Sequence, residues 1–167
     1  HAAGYDVEAR LRAMGEAIAY RGPDDSGTFH DAVTGVGFVH RRLAIVDLTS
    51  AGHQPMRSSS GRFVIVFNGE IYNHAELRRA FEASGHGVEW NGHSDTETLL
   101  RGFEVWGIKE TLARAVGMFA FALYDQSKRQ LFLARDRMGE KPLYYGISQG
   151  VFLFGSELKA LRAHPSF

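Results

Sequence analysis

The 167-residue sequence predicts an α+β fold, in which antiparallel strands pack against helices on their outer side. Three observations predict this class. Apolar residues near the start recur at helical spacing. Several later runs are short and rich in β-branched or aromatic residues. Strands and helices follow one another in blocks, without steady β-α-β alternation. A chain of this length is sufficient for one compact domain with its own core.

The first half of the chain begins with a predicted helix. One helical face is formed by four apolar residues spaced four, three and four apart: Val7, Leu11, Met14 and Ile18. We expect this helix to end near Tyr20, because the Gly-Pro pair that follows cannot continue it. Residues 21–27 have the composition of a turn. Strands are predicted at residues 35–46 and 63–67, and a further helix at residues 74–84.

The second half begins with a helix signal and continues as strands. The segment from Ser94 to Glu97 matches a capping box, which predicts a helix that Gly107 ends. A short helix is predicted at residues 109–115. Four strands joined by polar or glycine-bearing turns are then predicted, at residues 118–124, 130–135, 143–147 and 151–154. Ser156 is predicted to cap a last helix that runs through Leu161.

Composition excludes several classes of protein. The formal net charge is zero, which argues against nucleic acid or an anionic membrane as the main partner. There is no cysteine, so a disulfide framework or thiolate metal site is excluded and a reducing, cytoplasmic compartment is expected. The eight histidines show no convincing metal-ligand spacing. No apolar run approaches the roughly 20 residues that span a bilayer, and no leader is recognised.

The Asn68-Gly69 pair directly follows a predicted buried strand, and it has two readings. Asn-Gly is typical of a tight hairpin turn. Alternatively, the Asn68 amide and the Gly69 N–H point at a developing oxyanion, since glycine lets backbone approach a ligand closely. The residues that follow do not read as a returning strand, which favours the second reading. Glu70 is an unusual neighbour for a purely structural turn.

Two charged residues are candidates for holding a small amino acid. Arg42 lies late in an apolar strand, where it either pairs with a carboxylate at the surface or grips a ligand carboxylate with its planar fork. Asp95 either serves only as part of a helix start or faces a ligand ammonium group. Both alternatives remain open from the local sequence.

The motifs together resemble a known family. Seven blocks carry the resemblance, in the family's order: RGPDDSG at 21–27, HRRLAIVD at 40–47, GHQP at 52–55, FNGEIYNH at 67–74, SDTE at 94–97, GMFAFALYD at 117–125 and ARDRMGEKPLYYG at 134–146. They resemble the amino-terminal glutaminase domain of glutamine-hydrolysing asparagine synthetases. These are class II glutamine amidotransferases, within the N-terminal-nucleophile hydrolases.

The resemblance implies a four-layer sandwich of two stacked antiparallel sheets with helices outside, with its first strand missing here. It implies hydrolysis of glutamine to glutamate and ammonia. Arg42 would hold the substrate α-carboxylate, Asp95 its α-ammonium, and Asn68 and Gly69 would form the oxyanion hole. Glu70 would contact glutamine, and backbone groups would complete the pocket at Leu43, Ala44, Ile45 and Val46.

The sequence departs from the family at the nucleophile. The family uses an amino-terminal Cys whose thiol attacks the amide carbon while its free α-amine serves as base, and this sequence begins with His1. Two explanations remain. Either residues 1–167 are a glutaminase domain lacking its extreme amino terminus, or the parent protein has lost the nucleophile and the domain is a non-catalytic glutamine-binding or structural unit. In either case we expect this chain to be inactive.

The resemblance also implies what lies outside the domain. No metal or organic cofactor is expected for glutamine hydrolysis. ATP and Mg²⁺ are expected in a carboxy-terminal synthetase domain that is absent here and would receive the ammonia. We also expect self-association, as a homodimer or a larger species, because a missing first strand would leave a sheet edge uncovered.

Overall fold

The computed structural model describes residues 6–44, 47, 49–85 and 89–167. Thirteen helices and strands are formed within these residues: α1 (Val7–Glu16), β1 (Asp25–Asp31), β2 (Val36–Arg42), β3 (Met56–Arg57), β4 (Phe63–Ile71), α2 (His74–Ala83), α3 (Asp95–Val105), α4 (Ile108–Arg114), β5 (Gly117–Asp125), β6 (Gln130–Arg135), β7 (Tyr144–Ser148), β8 (Val151–Gly155) and α5 (Leu158–Arg162). Short 3₁₀ turns lie at Ala19–Arg21 and Ser50–Gly52.

The strands form two layers. One layer is an antiparallel sheet in the order β3-β4-β5-β6. The other layer consists of two antiparallel hairpins, β1-β2 and β7-β8. Helices α2, α3 and α4 cover the outer face of the four-stranded sheet, and α1 and α5 pack against the hairpins. The predicted α+β class and four-layer arrangement are therefore confirmed.

Side chains of β4 alternate between two apolar cores. Phe63, Ile65 and Phe67 face the helices, where they pack with buried residues of α2 and α3 such as Phe81 and Leu99. The intervening residues face the hairpins, where the core contains Val64, Ala122 and Tyr124 of the sheet and Phe29 and Phe38 of β1 and β2. This alternation is the period-2 pattern of a strand buried on both faces.

Strand β4 is longer than the sequence indicates. It continues through Asn68 and Gly69 to Ile71, in unbroken register with β5. The hairpin-turn reading of Asn68-Gly69 is therefore wrong. The sequence analysis also missed β1, because the polar residues of Asp25–Asp31 were read partly as a turn. Helix α1 ends at Glu16 rather than near Tyr20.

The structure differs in detail from the two helix caps predicted from the sequence. The Ser94 hydroxyl caps α3 by accepting the Thr96 N–H at 3.1 Å, as predicted. The reciprocal bond of a capping box is absent among the described contacts, because Glu97 accepts the N–H groups of Asn91 and Gly92 instead. Ser156 does not cap α5, whose cap residue is Glu157 without a side-chain bond.

Helices α1 and α5 pack against each other in opposite directions. Glu157, before α5, accepts hydrogen bonds from Tyr20 and from Arg21, which follow α1, the latter at 2.7 Å. His164, after α5, is buried, and burial with a smaller contribution from the charge of Arg10 lowers its pKa. None of the helices that the structure describes is long and apolar enough to span a membrane.

Candidate functional site

A cavity of about 450 Å³ lies between the two strand layers. It is lined by residues of α1, the end of β2, the second half of β4, the start of α3, and parts of β5 and β8. Six of the predicted site residues line it: Arg42, Leu43, Asn68, Gly69, Glu70 and Asp95. Ala44, also predicted, is not among the lining residues, and its N–H donates to the Asp24 carboxylate at 2.9 Å instead. Ile45 and Val46, also predicted, lie outside the described residues.

The backbone of Gly69 is turned away from β5. Opposite it in register is Phe119, whose N–H and carbonyl both bond to Asp136, on the side of β6. Gly69 and Phe119 therefore form a non-hydrogen-bonded pair of the antiparallel ladder. The N–H groups of residues 67 and 71 also point away from β5, because they donate to Gln54 and Asp95. By the alternation of the strand, the Gly69 N–H points to the same edge, which borders the cavity.

Close packing on the opposite side requires glycine at this position. A Cβ added to Gly69 would lie 2.2 Å from the Met118 carbonyl oxygen and 2.7 Å from the Phe119 Cα, so any side chain would push β4 away from β5. Only glycine at position 69 therefore allows β4 to stay paired with β5 while its N–H points toward the cavity.

The Asn68 and Glu70 side chains belong to the face of β4 that looks toward the hairpins, together with Val66. All three line the cavity. The Asn68 amide nitrogen lies 3.5 Å from the Ser156 hydroxyl, the outer limit of a hydrogen bond. Asn68 and Gly69 are adjacent in β4, so the side-chain amide and the backbone N–H are close to each other. Both are donors of the kind that stabilise an oxyanion.

Arg42 is a buried cation that binds backbone rather than a carboxylate. Its side chain is 9% exposed. Its guanidinium donates to the carbonyls of Thr49, at 2.9 Å, and Asp47. Among the described residues no Asp or Glu side chain forms an ion pair with it. A guanidinium has five N–H donors, so these contacts leave donors for an anion. Besides hydrogen bonds from Thr49, the charge of Arg42 also contributes to lowering the pKa of Asp47, so the guanidinium is held by two backbone carbonyls and by the nearby Asp47 charge rather than by a direct ion pair.

The Asp95 carboxylate has a structural role at the cavity wall. It is the first residue of α3, is 6% exposed, and accepts the N–H groups of Ile71 and Thr96, each at 2.8 Å. Burial raises its pKa, against these hydrogen bonds. Oδ1 also accepts the Thr96 hydroxyl at 3.5 Å, so the described contacts leave a free lone pair on Oδ2 alone.

Several residues at this site were not singled out from the sequence. Gln54, His40, Ser156 and Lys141 also line the cavity. Gln54 and His40 stand within blocks of the resemblance, so their motifs carried a signal that residue type alone did not. Lys141 follows the Asp136 loop, whose carboxylate binds the N–H groups of Glu140 and Lys141 and has a pKa of about 2 because of these bonds. No cluster of acidic and histidine side chains among the described residues could hold a metal ion.

Comparison with known proteins shows the family to which the chain belongs. A family model described as a glutamine amidotransferase domain matches residues 2–167. The chain therefore belongs to the glutamine amidotransferase domain family. It is 42% identical over 154 residues to asparagine synthetase [glutamine-hydrolyzing] 3 of Bacillus subtilis, and 36% identical over 173 residues to a putative asparagine synthetase of Methanocaldococcus jannaschii. These alignments cover 91% and 94% of this chain, and 24% and 32% of the relatives.

A solved structure supports the fold. The glutamine phosphoribosylpyrophosphate amidotransferase of Bacillus subtilis, complexed with ADP and GMP, superposes with a TM-score of 0.76 at 19% identity. The match covers 93% of this chain and 40% of that one. The fold is that of the N-terminal-nucleophile hydrolases. The chain spans about a quarter of the length of the first of these asparagine synthetase relatives and about a third of the second.

Proposed function

We propose that this chain is the glutamine-hydrolysing domain of an asparagine-synthetase-like enzyme. The observation that carries the proposal is the buried guanidinium of Arg42. It lies without a described carboxylate partner in the same cavity as the Asp95 carboxylate and the Gly69 N–H. A free amino acid carries a carboxylate and an ammonium group, and these two charges match Arg42 and Asp95. The donors at Asn68 and Gly69 suit the carbonyl of its side-chain amide.

Hydrolysis through this site requires a nucleophile that the 167 residues do not contain. In the proposed reaction a thiolate attacks the amide carbon, and the resulting oxyanion accepts hydrogen bonds from Gly69 and Asn68. The C–N bond then breaks and ammonia leaves with a proton. Water hydrolyses the thioester to glutamate and restores the thiol. Such donors typically contribute about 100- to 1,000-fold to kcat.

The cavity extends to a place where an additional strand could supply this thiol. Consecutive residues of β2, from Val39 to Arg42, and of β8, from Val151 to Gly155, line it. The edges of the two hairpins thus border one space. We propose that a cysteine-bearing segment outside these residues occupies it in the active enzyme, so that residues 1–167 alone are inactive.

The remaining parts of the proposal concern the larger protein. Glutamine hydrolysis would need no metal or organic cofactor, whereas ATP and Mg²⁺ would serve a carboxy-terminal synthetase domain that uses the ammonia. We propose a cytoplasmic enzyme, and a homodimer as its state of association.

Ammonia release from L-glutamine tests the proposal. We expect none from the 167-residue chain, and release by the full-length protein that thiol alkylation abolishes. Turnover by the chain itself would refute the thiol mechanism. If the full-length protein releases no ammonia but binds glutamine saturably by calorimetry, the chain is a non-catalytic binding domain that has lost its nucleophile.

A further inference from the structure

The free edge of β4 is covered by side chains where a neighbouring strand would otherwise lie. Strand β3 pairs with β4 only up to Ile65, opposite Met56. Beyond that point the Phe67 N–H donates to the Gln54 side-chain oxygen at 2.7 Å, and the Ile71 N–H donates to Asp95 at 2.8 Å. Side chains therefore satisfy two outward N–H groups of this edge, on either side of Gly69, as buried backbone requires.

The Phe67 carbonyl is bound in the same way. It lies 3.2 Å from Nε2 of His40, which reaches across from β2. Because a carbonyl can only accept, Nε2 carries the proton of the ring. Burial lowers the pKa of His40 to about 4, so the imidazole is neutral at pH 7 with this nitrogen protonated. Gln54 and His40 together make the two bonds that a paired strand would make with Phe67.

The Gly69 N–H lies between these two fixed points. It is two residues from Phe67 and two from Ile71, on the same edge, and it faces the cavity that Gln54 and Asp95 also line. A paired strand would have consumed this donor. Instead, the Gln54 bond to Phe67 on one side and the Asp95 bond to Ile71 on the other hold the backbone extended. They leave the Gly69 N–H directed at the cavity.

Gln54 is suited to this role by its own surroundings. Its side chain is 7% exposed, and its amide nitrogen lies 3.5 Å from the Thr96 hydroxyl at the start of α3. A buried amide with both ends engaged has little freedom to rotate. Gln54 thereby connects the backbone of Phe67 to α3, the helix that also carries Asp95.

We propose that Gln54, together with His40, is a positioning residue that fixes the direction of the Gly69 N–H for oxyanion binding. The inference rests on the proposed glutaminase function. Neither residue needs to touch glutamine, because each acts through the Phe67 peptide groups. Displacing a catalytic group by about 1 Å can cost about 100-fold in rate, so a small movement of this edge is sufficient to affect turnover.

The test compares Gln54→Met with Gln54→Glu in the full-length protein. Methionine keeps the length and packing but cannot accept the Phe67 N–H, whereas glutamate retains an acceptor oxygen. We expect Gln54→Met to lower kcat for glutamine hydrolysis about 10- to 100-fold with KM changed less than about threefold, since an interaction made in the transition state is weakened. Gln54→Glu should recover most of kcat. Gln126→Met, which removes an exposed amide that also binds backbone, is the matched control.

Two further measurements keep the test decisive. His40→Leu removes the other bond to Phe67, and we expect the same loss of kcat with little change in KM, so the inference does not depend on the folding of one variant. Hydrogen exchange of a peptide spanning residues 63–71 should accelerate in Gln54→Met and return toward the wild-type rate in Gln54→Glu.

The outcomes separate this inference from the proposed function. Wild-type kcat in both Gln54→Met and His40→Leu would overturn the inference, as would equal loss of kcat in Gln54→Met and Gln54→Glu. A wild-type protein that releases no ammonia would overturn the proposed function instead. In that case the hydrogen-exchange measurement still tests the inference. An unchanged exchange rate of residues 63–71 in Gln54→Met would show that Gln54 does not position this strand edge.

Discussion

The Asp47 carboxylate accepts the backbone N–H of His93 at 2.8 Å. This bond joins the segment after β2, which carries the Arg42 contacts, to the loop before α3, which leads to Asp95. Hydrogen bonds from Thr49 together with this one hold the pKa of Asp47 at about 2, so it is ionised at neutral pH. The Arg42 side and the Asp95 side of the cavity are therefore connected by this hydrogen bond.

Arg42→Lys should weaken glutamine binding. Lysine places a point charge where a planar fork now binds two carbonyls and, by the proposal, a ligand carboxylate. We expect a loss of about 1–3 kcal/mol, or roughly 5- to 150-fold in Kd. Isothermal calorimetry with L-glutamine measures it, and the exposed Arg114→Lys serves as control. Unchanged affinity would remove Arg42 from the binding site.

Asp95→Asn should also weaken glutamine binding. The asparagine oxygen can still accept the Ile71 N–H, but the NH₂ group then meets the Thr96 N–H, so urea unfolding is needed to separate lost stability from lost binding. By the proposal, the negative charge that faces the ligand ammonium is lost. We expect a loss of about 10- to 100-fold in affinity, the size of a hydrogen bond to a charged group. Burial raises the pKa of Asp95. As the pH is lowered, the affinity of the wild type for glutamine should therefore begin to fall at a pH above the range in which an ordinary aspartate is protonated. An equally steep fall in Asp95→Asn would assign the titration to another group.

Gly69→Ala should destabilise the domain. The added methyl group would approach the Met118 carbonyl oxygen to 2.2 Å, so β4 and β5 must separate or the new residue must be strained. Overpacking of this kind typically costs about 1–3 kcal/mol. Urea unfolding gives the difference. Gly146→Ala in β7 is the matched control, because a Cβ there meets no atom within 4 Å. Equal stability of Gly69→Ala and the wild type would contradict the described packing.

Glu157 should contribute to stability at neutral pH but not in strong acid. Hydrogen bonds from Tyr20 and Arg21 lower its pKa from 4.5 to about 2 in the folded protein. A depressed folded pKa gives stability that is present above the unfolded pKa and is lost as pH falls through the folded one. The stability difference between wild type and Glu157→Gln should therefore shrink between about pH 5 and pH 2. Urea unfolding at several pH values measures it, with exposed Glu82→Gln as control. A pH-independent difference would exclude this ionisation as its source.

Self-association stays a prediction for the 167-residue chain. One face of the β7-β8 hairpin exposes apolar side chains, including Tyr145 at 68% and Ile147 at 77%. Exposed apolar patches and open strand edges favour contacts between chains. We expect dimers or larger species by light scattering at high concentration. A single monomeric species would contradict this expectation.

The elements with strong local patterns were predictable from the sequence, and the long-range ones were not. Helix α2 follows from apolar spacing, α3 from apolar spacing and its Ser94 cap, and strand β6 from a short apolar run between polar turns. The extension of β4 through Asn68-Gly69 was not predictable locally, since the same dipeptide suits a turn. Gln54 and Asp95, distant in sequence, satisfy its outer edge. Strand β1 is polar on its exposed face and is a strand because β2 pairs with it.

The site was predictable as a set of residues more than as a geometry. Residue types and motif order indicated Arg42, Asn68, Gly69, Glu70 and Asp95, and all five line one cavity. Their roles with glutamine stay predictions. The sequence could not show that Arg42 is held by two backbone carbonyls, or that Asp95 caps the β4 edge. These contacts depend on how separate loops meet in the folded chain.

The antiparallel packing of α1 and α5 makes the two helices dependent on each other. Glu157, before α5, forms an ion pair with Arg21, which follows α1, so residues far apart in sequence hold the two helices together. Local unfolding of one helix would expose the face of the other. We therefore expect α1 and α5 to open as one cooperative unit, although the elements between them make up most of the chain.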